Sequence, residues 1–258
     1  MYKEKLDAYI DAHKENMLED LKKLVRIDSQ KGEAMPGKPF GEGPAKVLDA
    51  AEEMIKEYGF TTTNYDHYVV AADFSDQEKK LDILAHLDVV PVTKNWKETE
   101  PFEPLIKDGK IYGRGTADDK GPAIAAIYAM RAIKECGVPL KNSMRLILGS
   151  DEECGSADLK YYYAREKEAP MSFTPDADFP VINLEKGRLQ KEFTQKLDAG
   201  NSGAAVVKIQ AGTKVNVVPD TAQALVRGIA KDEIETCASQ RKNHITYIID
   251  ETEEGVEI

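Results

Sequence analysis

A chain of 258 residues with 41% hydrophobic and 31% charged residues, 18 Gly and 12 Pro has the make-up of a folded globular protein, which excludes collagen-like, low-complexity and disulfide-scaffold classes. Its 35 Lys and Arg against 46 Asp and Glu leave a formal charge of −11, which repels phosphate backbones and anionic lipid and argues against nucleic-acid or membrane partners, while leaving carboxylates for a cation. Cys136, Cys154 and Cys237 form no Cys-x-x-Cys pair, the N-terminal region has no apolar signal segment, and no apolar run of about 18 residues occurs, so a cytoplasmic protein is expected.

In chain order, Met17, Leu18, Leu21, Leu24 and Val25 recur at helical spacing and predict an opening amphipathic helix that packs by its apolar stripe. The Gly- and Pro-rich residues 32–44 read as a loop, and Pro44 opens a helix that runs through Tyr58 to a Gly59 cap. The run LDILAHLDVV from Leu81 is short, apolar and β-branched toward its end. It predicts a strand buried on both faces of a largely parallel sheet, interrupted by His86. A turn-rich segment at 91–115 precedes the helix GPAIAAIYAMRAIKECG, with Pro122 in its first turn and Gly137 past its end. MRLILGS is a second apolar strand, DEECGS leads into a helix near 157–166, and a short strand at 171–174 ends at Pro175.

This alternation predicts an α/β fold, a mostly parallel sheet sandwiched by helices. Beyond Gly187 the texture changes: AAVVKIQ, KVNVVPD, TAQALVRG and HITYIIDE read as strands and residues 232–239 as a short helix. A boundary at 185–189 therefore divides the chain into residues 1–187 and a smaller α+β unit, 188–258.

The chemistry-bearing residues fall at the predicted strand ends. Asp88 follows His86 by two, which puts both side chains on one side of a strand. A carboxylate there accepts one ring proton and frees the other nitrogen for metal, although His-x-Asp alone is more often a satisfied buried pair. It is not alone. Asp118 and Asp119 stand directly before a helix, Asp151, Glu152 and Glu153 directly after a strand, and Asp176 after a third strand. Each taken singly reads as a solvated loop carboxylate; together they lie where open α/β sheets bind ligands. Carboxylates about 4 Å apart repel by roughly 4 kcal/mol at an effective dielectric of about 20, so converging ones require protons or cations. Gly113-x-Gly115 makes a poor phosphate cradle, because Asp118 and Asp119 would face phosphate with like charge. Cys154 has no second histidine to activate it and is read as a bystander.

The segments HLDVVP (86–91), PFEPLIKDGKIYGRGTADDKGP (101–122), GSDEE (149–153) and SFTPDADFP (172–180) resemble the co-catalytic metallopeptidases that include aminoacylase, carnosinase and bacterial dipeptidases. The dipeptidase V, or Xaa-His dipeptidase, group is the nearest. The resemblance implies two zinc ions, with Mn2+ or Co2+ as alternatives. His86 and Asp176 would hold one ion, Glu153 the other, and Asp118 would bridge them. It further implies Glu152 as general base, Asp88 orienting His86, and a cis Asp118–Asp119 peptide. Its implied substrate is a small peptide, hydrolysed by metal-activated water.

Residues 1–187 would then be the N-terminal part of the catalytic domain and 188–258 the start of a lid domain, whose strands in relatives can form homo-oligomers. Asn216, within KVNVVPD, reads equally as a substrate contact or as a turn or edge-strand amide. Relatives continue past this chain's end with a lid histidine and a further histidine ligand, roles for which His244 comes too early. The chain thus looks truncated beside that family, and the resemblance implies that residues 1–258 alone hold at most one ion well and show no appreciable dipeptidase activity. An N-acyl amino acid deacylase, or a non-catalytic metal- or peptide-binding fragment, are the competing readings.

Overall fold

The structure, a computed structural model, describes residues 2–93, 96–187, 189–194, 203–212, 218–219, 221–241 and 244–258. The predicted opening helix is two helices. α1 (Tyr2–Ala12) and α2 (Lys14–Val25) meet at His13, whose φ of −109° and ψ of 11° leave the helical region. Leu21, Leu24 and Val25 are buried on α2. α3 (Glu42–Glu57) begins two residues ahead of Pro44, where the first turn tolerates a missing N–H, and stops before Gly59 at φ 74°.

A hairpin follows that the sequence reading does not contain: β1 (Thr61–Tyr65) and β2 (Val69–Asp73), paired antiparallel. Its turn uses Asp66 and His67, both at positive φ, without the Asn-Gly or Asp-Gly pair that marks such turns. β3 (Lys79–His86) ends at His86, short of the predicted run. Val89 leaves the ladder and donates its N–H to the Ser29 carbonyl at 3.3 Å. The turn-rich segment holds a second hairpin, β4 (Leu105–Lys107) and β5 (Lys110–Tyr112), turning on Asp108 and Gly109 at positive φ. That Asp-Gly pair was a legible signal. Then come α4 (Lys120–Glu135), β6 (Ser143–Gly149), a 3-10 turn at Glu152–Cys154, α5 (Ala157–Tyr163) and β7 (Met171–Phe173).

The main sheet runs β1-β2-β6-β3-β7. β6, β3 and β7 are parallel, whereas β1, β2 and β6 pair antiparallel. The predicted parallel sheet is thus the half that ends in the acidic loops, and the unpredicted hairpin makes the whole sheet mixed. Helices cover both faces, as the apolar runs require. Val70, Ala72, Ile83, Leu146 and Leu148 pack with residues of α2, α3 and α4, and Val69, Ala71 and Ile147 pack with Tyr162 of α5. Successive residues thus face opposite layers.

The chain divides into two units, Met1–Glu185 and Lys186–Ile258. The second has an antiparallel sheet, β10-β11-β9-β8, built from β8 (Ala205–Ala211), β9 (Ala222–Arg227), β10 (Asp250–Thr252) and β11 (Gly255–Glu257), with α6 at Lys231–Ser239. The predicted strand HITYIIDE is a correction: residues 245–249 lie outside any strand, and Ile248 is 74% exposed. Alternation reports a preference for a half-buried pleated surface and does not by itself make a strand. Asn216 and most of KVNVVPD lie outside the described residues. Among the described residues no helix is long and apolar enough to cross a membrane.

One charged pair breaks the apolar pattern of the sheet. Asp82 and Arg145 are register partners across β3 and β6, both buried, with Nε–Oδ1 and Nη2–Oδ2 distances of 2.9 Å. The Ala169 N–H also donates to Asp82, at 3.0 Å, and Arg145 donates to the Lys167 carbonyl at 3.0 Å. The pair thereby ties the chain leading into β7 onto the face of the sheet. Asp82→Ala strands the guanidinium and is expected to cost about 3–5 kcal/mol in chemical denaturation, much of it recovered by an Asp82→Leu, Arg145→Met double variant. A single variant as stable as wild type would contradict this.

Candidate metal centre

Because β3, β6 and β7 run parallel, their carboxyl ends share one edge of the sheet. His86 closes β3 opposite Gly149, the last residue of β6, and Asp176 follows the end of β7. Asp118 and Asp119 arrive from the other direction, joined by a cis peptide at the start of α4. Around His86 Nε2 lie Asp118 Oδ1 at 3.0 Å, Asp176 Oδ2 at 3.4 Å and Glu152 Oε2 at 3.9 Å. Single donor atoms of His86, Asp118 and Asp176 fall within 4.8 Å of one another.

Glu153 does not belong to that group. Its carboxyl is near enough that Asp118 adds to the rise in its pKa, after burial.

The imidazole itself is buried, and its Nδ1–H donates to the Asp88 main-chain carbonyl at 3.0 Å. That bond leaves Nε2 facing the carboxylates, the arrangement in which histidine ligates a metal. The Asp88 carboxylate lies 3.3 Å from Nδ1 and has a second task. Its two oxygens accept the N–H groups of Glu152 and Glu153, each at 3.1 Å. One buried aspartate therefore fixes the ring and the acidic loop together.

A second buried carboxylate holds the loop from behind. Asp158 Oδ2 accepts the N–H groups of Ser150 at 2.6 Å and Asp151 at 3.0 Å. Asp151 pairs with Lys31 at 2.6 Å. With the backbone clamped from both sides, neighbouring Glu152 and Glu153 stand in a 3-10 turn, and both carboxyls feel Asp88 and Asp118. Lys120, fully buried, donates to the Leu24 and Ile27 carbonyls at 3.0 and 2.9 Å, and burial pushes it down to about 7. The roles of Asp158, Lys31 and Lys120 escape sequence reasoning, since each depends on a partner distant in the chain or on a loop geometry that no motif encodes.

The electrostatics follow from the crowding. Burial disfavours a charged imidazole, but the carboxylates of Asp118 and Asp88 overcome it and raise His86 to about 11. Asp118 is lowered by the hydrogen bond from His86. Glu152 and Asp176 are raised, first by burial and then by neighbouring carboxylates. Burial also carries Asp119 up to about 7. A protonated histidine here neutralises only part of the surrounding charge. A divalent cation in place of its Nε2 proton would neutralise more. One imidazole nitrogen with carboxylate oxygens is a donor set that suits zinc and related divalent ions, so these residues fit such an ion.

Comparison with known proteins is consistent with this centre. The pattern of peptidase family M20/M25/M40 matches residues 83–249. The chain is 38% identical over 225 residues to the putative dipeptidase YtjP of Bacillus subtilis (strain 168), covering 86% of this chain and 48% of that protein. It is 36% identical over 221 residues to the Beta-Ala-Xaa dipeptidase of Lactobacillus delbrueckii subsp. lactis, covering 84% and 47%. The chain thus spans about half the length of the curated relatives it matches. Among solved structures it is similar to human carnosine dipeptidase 1, with a TM-score of 0.55 and 28% identity over 64% of this chain and 38% of that one. It is also similar to an M20 family metallo-carboxypeptidase of Sulfolobus solfataricus, with a TM-score of 0.53 and 25% identity over 62% and 37%.

The acidic loop has one steric requirement. A Cβ at Gly149 would lie 2.3 Å from Asp158 Oδ2, displacing the carboxylate that holds Ser150 and Asp151. Gly149→Ala is therefore expected to cost about 1–3 kcal/mol and to speed amide exchange across residues 150–153. Unchanged melting and exchange would show the contact to be dispensable.

Proposed function

This chain belongs to peptidase family M20/M25/M40, and on that premise we propose that it carries part of a metal-dependent dipeptidase. Residues 1–187 form part of the catalytic domain and 188–258 part of the lid. The observation that carries the reading is the gathering of Asp118 and Asp176 on the buried His86 Nε2, with the Glu152 carboxyl 3.9 Å away.

In this reading His86, Asp118 and Asp176 would hold one zinc ion, and Asp118 and Glu153 would hold a second. When bound, such ions polarise a peptide carbonyl and acidify a neighbouring water. The chain's own residues do the rest. Glu152 Oε2 accepts the proton of the attacking water and returns it to the leaving amine, a task aided by a carboxyl pKa raised by burial and like charge. Asp88 keeps the His86 ring and the Glu152 backbone in one fixed relation. With fewer of these residues to hold it, a second ion would be bound more weakly than the first.

The names of the relatives favour short peptides over N-acyl amino acids as substrate. Whatever zinc-dependent dipeptide hydrolysis this chain, or a longer polypeptide containing it, supports, Glu152→Gln is expected to lower it about 10²- to 10⁴-fold. Zinc binding, followed by calorimetry, is expected to stay within about threefold of wild type. Undiminished hydrolysis removes Glu152 from the mechanism, and lost zinc binding makes it a ligand instead.

A further inference from the structure

Asp119 is wholly buried, its oxygens lie outside the group of clustered donor atoms, and its backbone opens α4. Aspartate at a helix start ordinarily caps the helix by accepting an N–H of the first turn. Asp119 occupies that position and makes no side-chain cap bond. Its Oδ2 instead accepts the His86 N–H at 3.0 Å, and its Oδ1 is buried with no partner among the described residues. A buried carboxylate with one orphaned oxygen costs stability, so its placement is not explained by holding the helix.

The sheet accounts for the His86 bond. Leu87 donates its N–H to Gly149 of β6, so the His86 N–H points the other way, toward the β7 side. There the pairing stops at Ile83 with Phe173, and among the described residues no strand offers an acceptor. Asp119 supplies it. The adjacent Asp118 meets the far end of the same residue at Nε2, 3.0 Å away, so the 118–119 dipeptide grips His86 at backbone and ring.

We infer that Asp119 is a positioning residue of the metal centre, fixing the end of β3 to the Asp118 loop so that His86 and Asp118 stand ready to take one divalent cation together. This rests on the metal reading proposed above. The hydrogen-bond acceptor, not the charge, performs the task.

The test is zinc titration by calorimetry of the metal-free chain and its Asp119→Asn and Asp119→Leu variants, with melting of each metal-free protein. Asparagine keeps an acceptor for the His86 N–H, and its amide nitrogen takes a place already unpartnered, so Asp119→Asn should bind zinc within about threefold of wild type. Asp119→Leu should bind about 10- to 100-fold more weakly. Leucine binding equal to wild type overturns the inference, as does an equal loss in both variants, which would make charge the operative property. A wild-type chain that binds no zinc overturns the metal reading and this inference with it. Should the leucine variant fail to melt cooperatively, amide exchange in wild type decides: a slowly exchanging His86 N–H, beyond the last β7 rung, supports the bond, and rapid exchange overturns it.

Discussion

Several carboxylates converge on a single buried imidazole, and the geometry of the N-terminal unit follows from that concentration of like charge. His86 sits at the end of a parallel strand with Asp118, Asp176 and Glu152 around one of its nitrogens. Such a group is tolerable only with a cation among them, whether a proton on the ring or a metal ion in its place. Parallel strands bring the loops together because all their carboxyl ends share one edge, and the apolar faces of β3 and β6 keep that edge rigid between two layers of helix.

The scaffold maintains this arrangement mainly with neutral donors. Asp88 accepts the N–H groups of Glu152 and Glu153, Asp158 those of Ser150 and Asp151, and Asp119, through one of its two oxygens, that of His86. Buried carboxylates that accept backbone N–H groups fix the loop path without introducing cations that would compete for the site. Charged partners stand further out: Lys31 on Asp151, and Arg145 on Asp82 on the α5 face of the sheet. At the α2 and α4 contact buried Asp20 combines both kinds of partner, accepting the hydroxyls of Tyr58 and Tyr128 and pairing with Lys23 at 2.9 Å.

Much of this was legible in the sequence, and the limits are physical. Apolar runs long enough to be buried on both faces identified β3 and β6, and helical periodicity with Pro and Gly at the ends identified α3 and α4. His86, Asp118 and Asp176 were legible as candidates because metal-binding residue types stood at or after predicted strand ends and, for Asp118, directly before a predicted helix. The hairpin of β1 and β2 was hidden by a turn made from Asp66 and His67. HITYIIDE misled because alternation alone reports only a preference for a half-buried surface, and just its last two residues enter a strand, β10. Asp88 was expected to orient His86 through its carboxylate; the closer contact comes from its main-chain carbonyl, while the carboxylate also holds the acidic loop. That division of labour depends on a 3-10 turn whose path is set by contacts remote in sequence.

The metal centre stands or falls on whether a divalent ion takes the position that the proton on His86 Nε2 holds in the ion-free chain. Anomalous X-ray diffraction at the zinc edge, from crystals of the chain grown with equimolar zinc, tests this directly. The account predicts the strongest peak in coordination contact with His86 Nε2 and the carboxylates of Asp118 and Asp176. Zinc bound only elsewhere, with His86 Nε2 still hydrogen-bonded to Asp118, would contradict it.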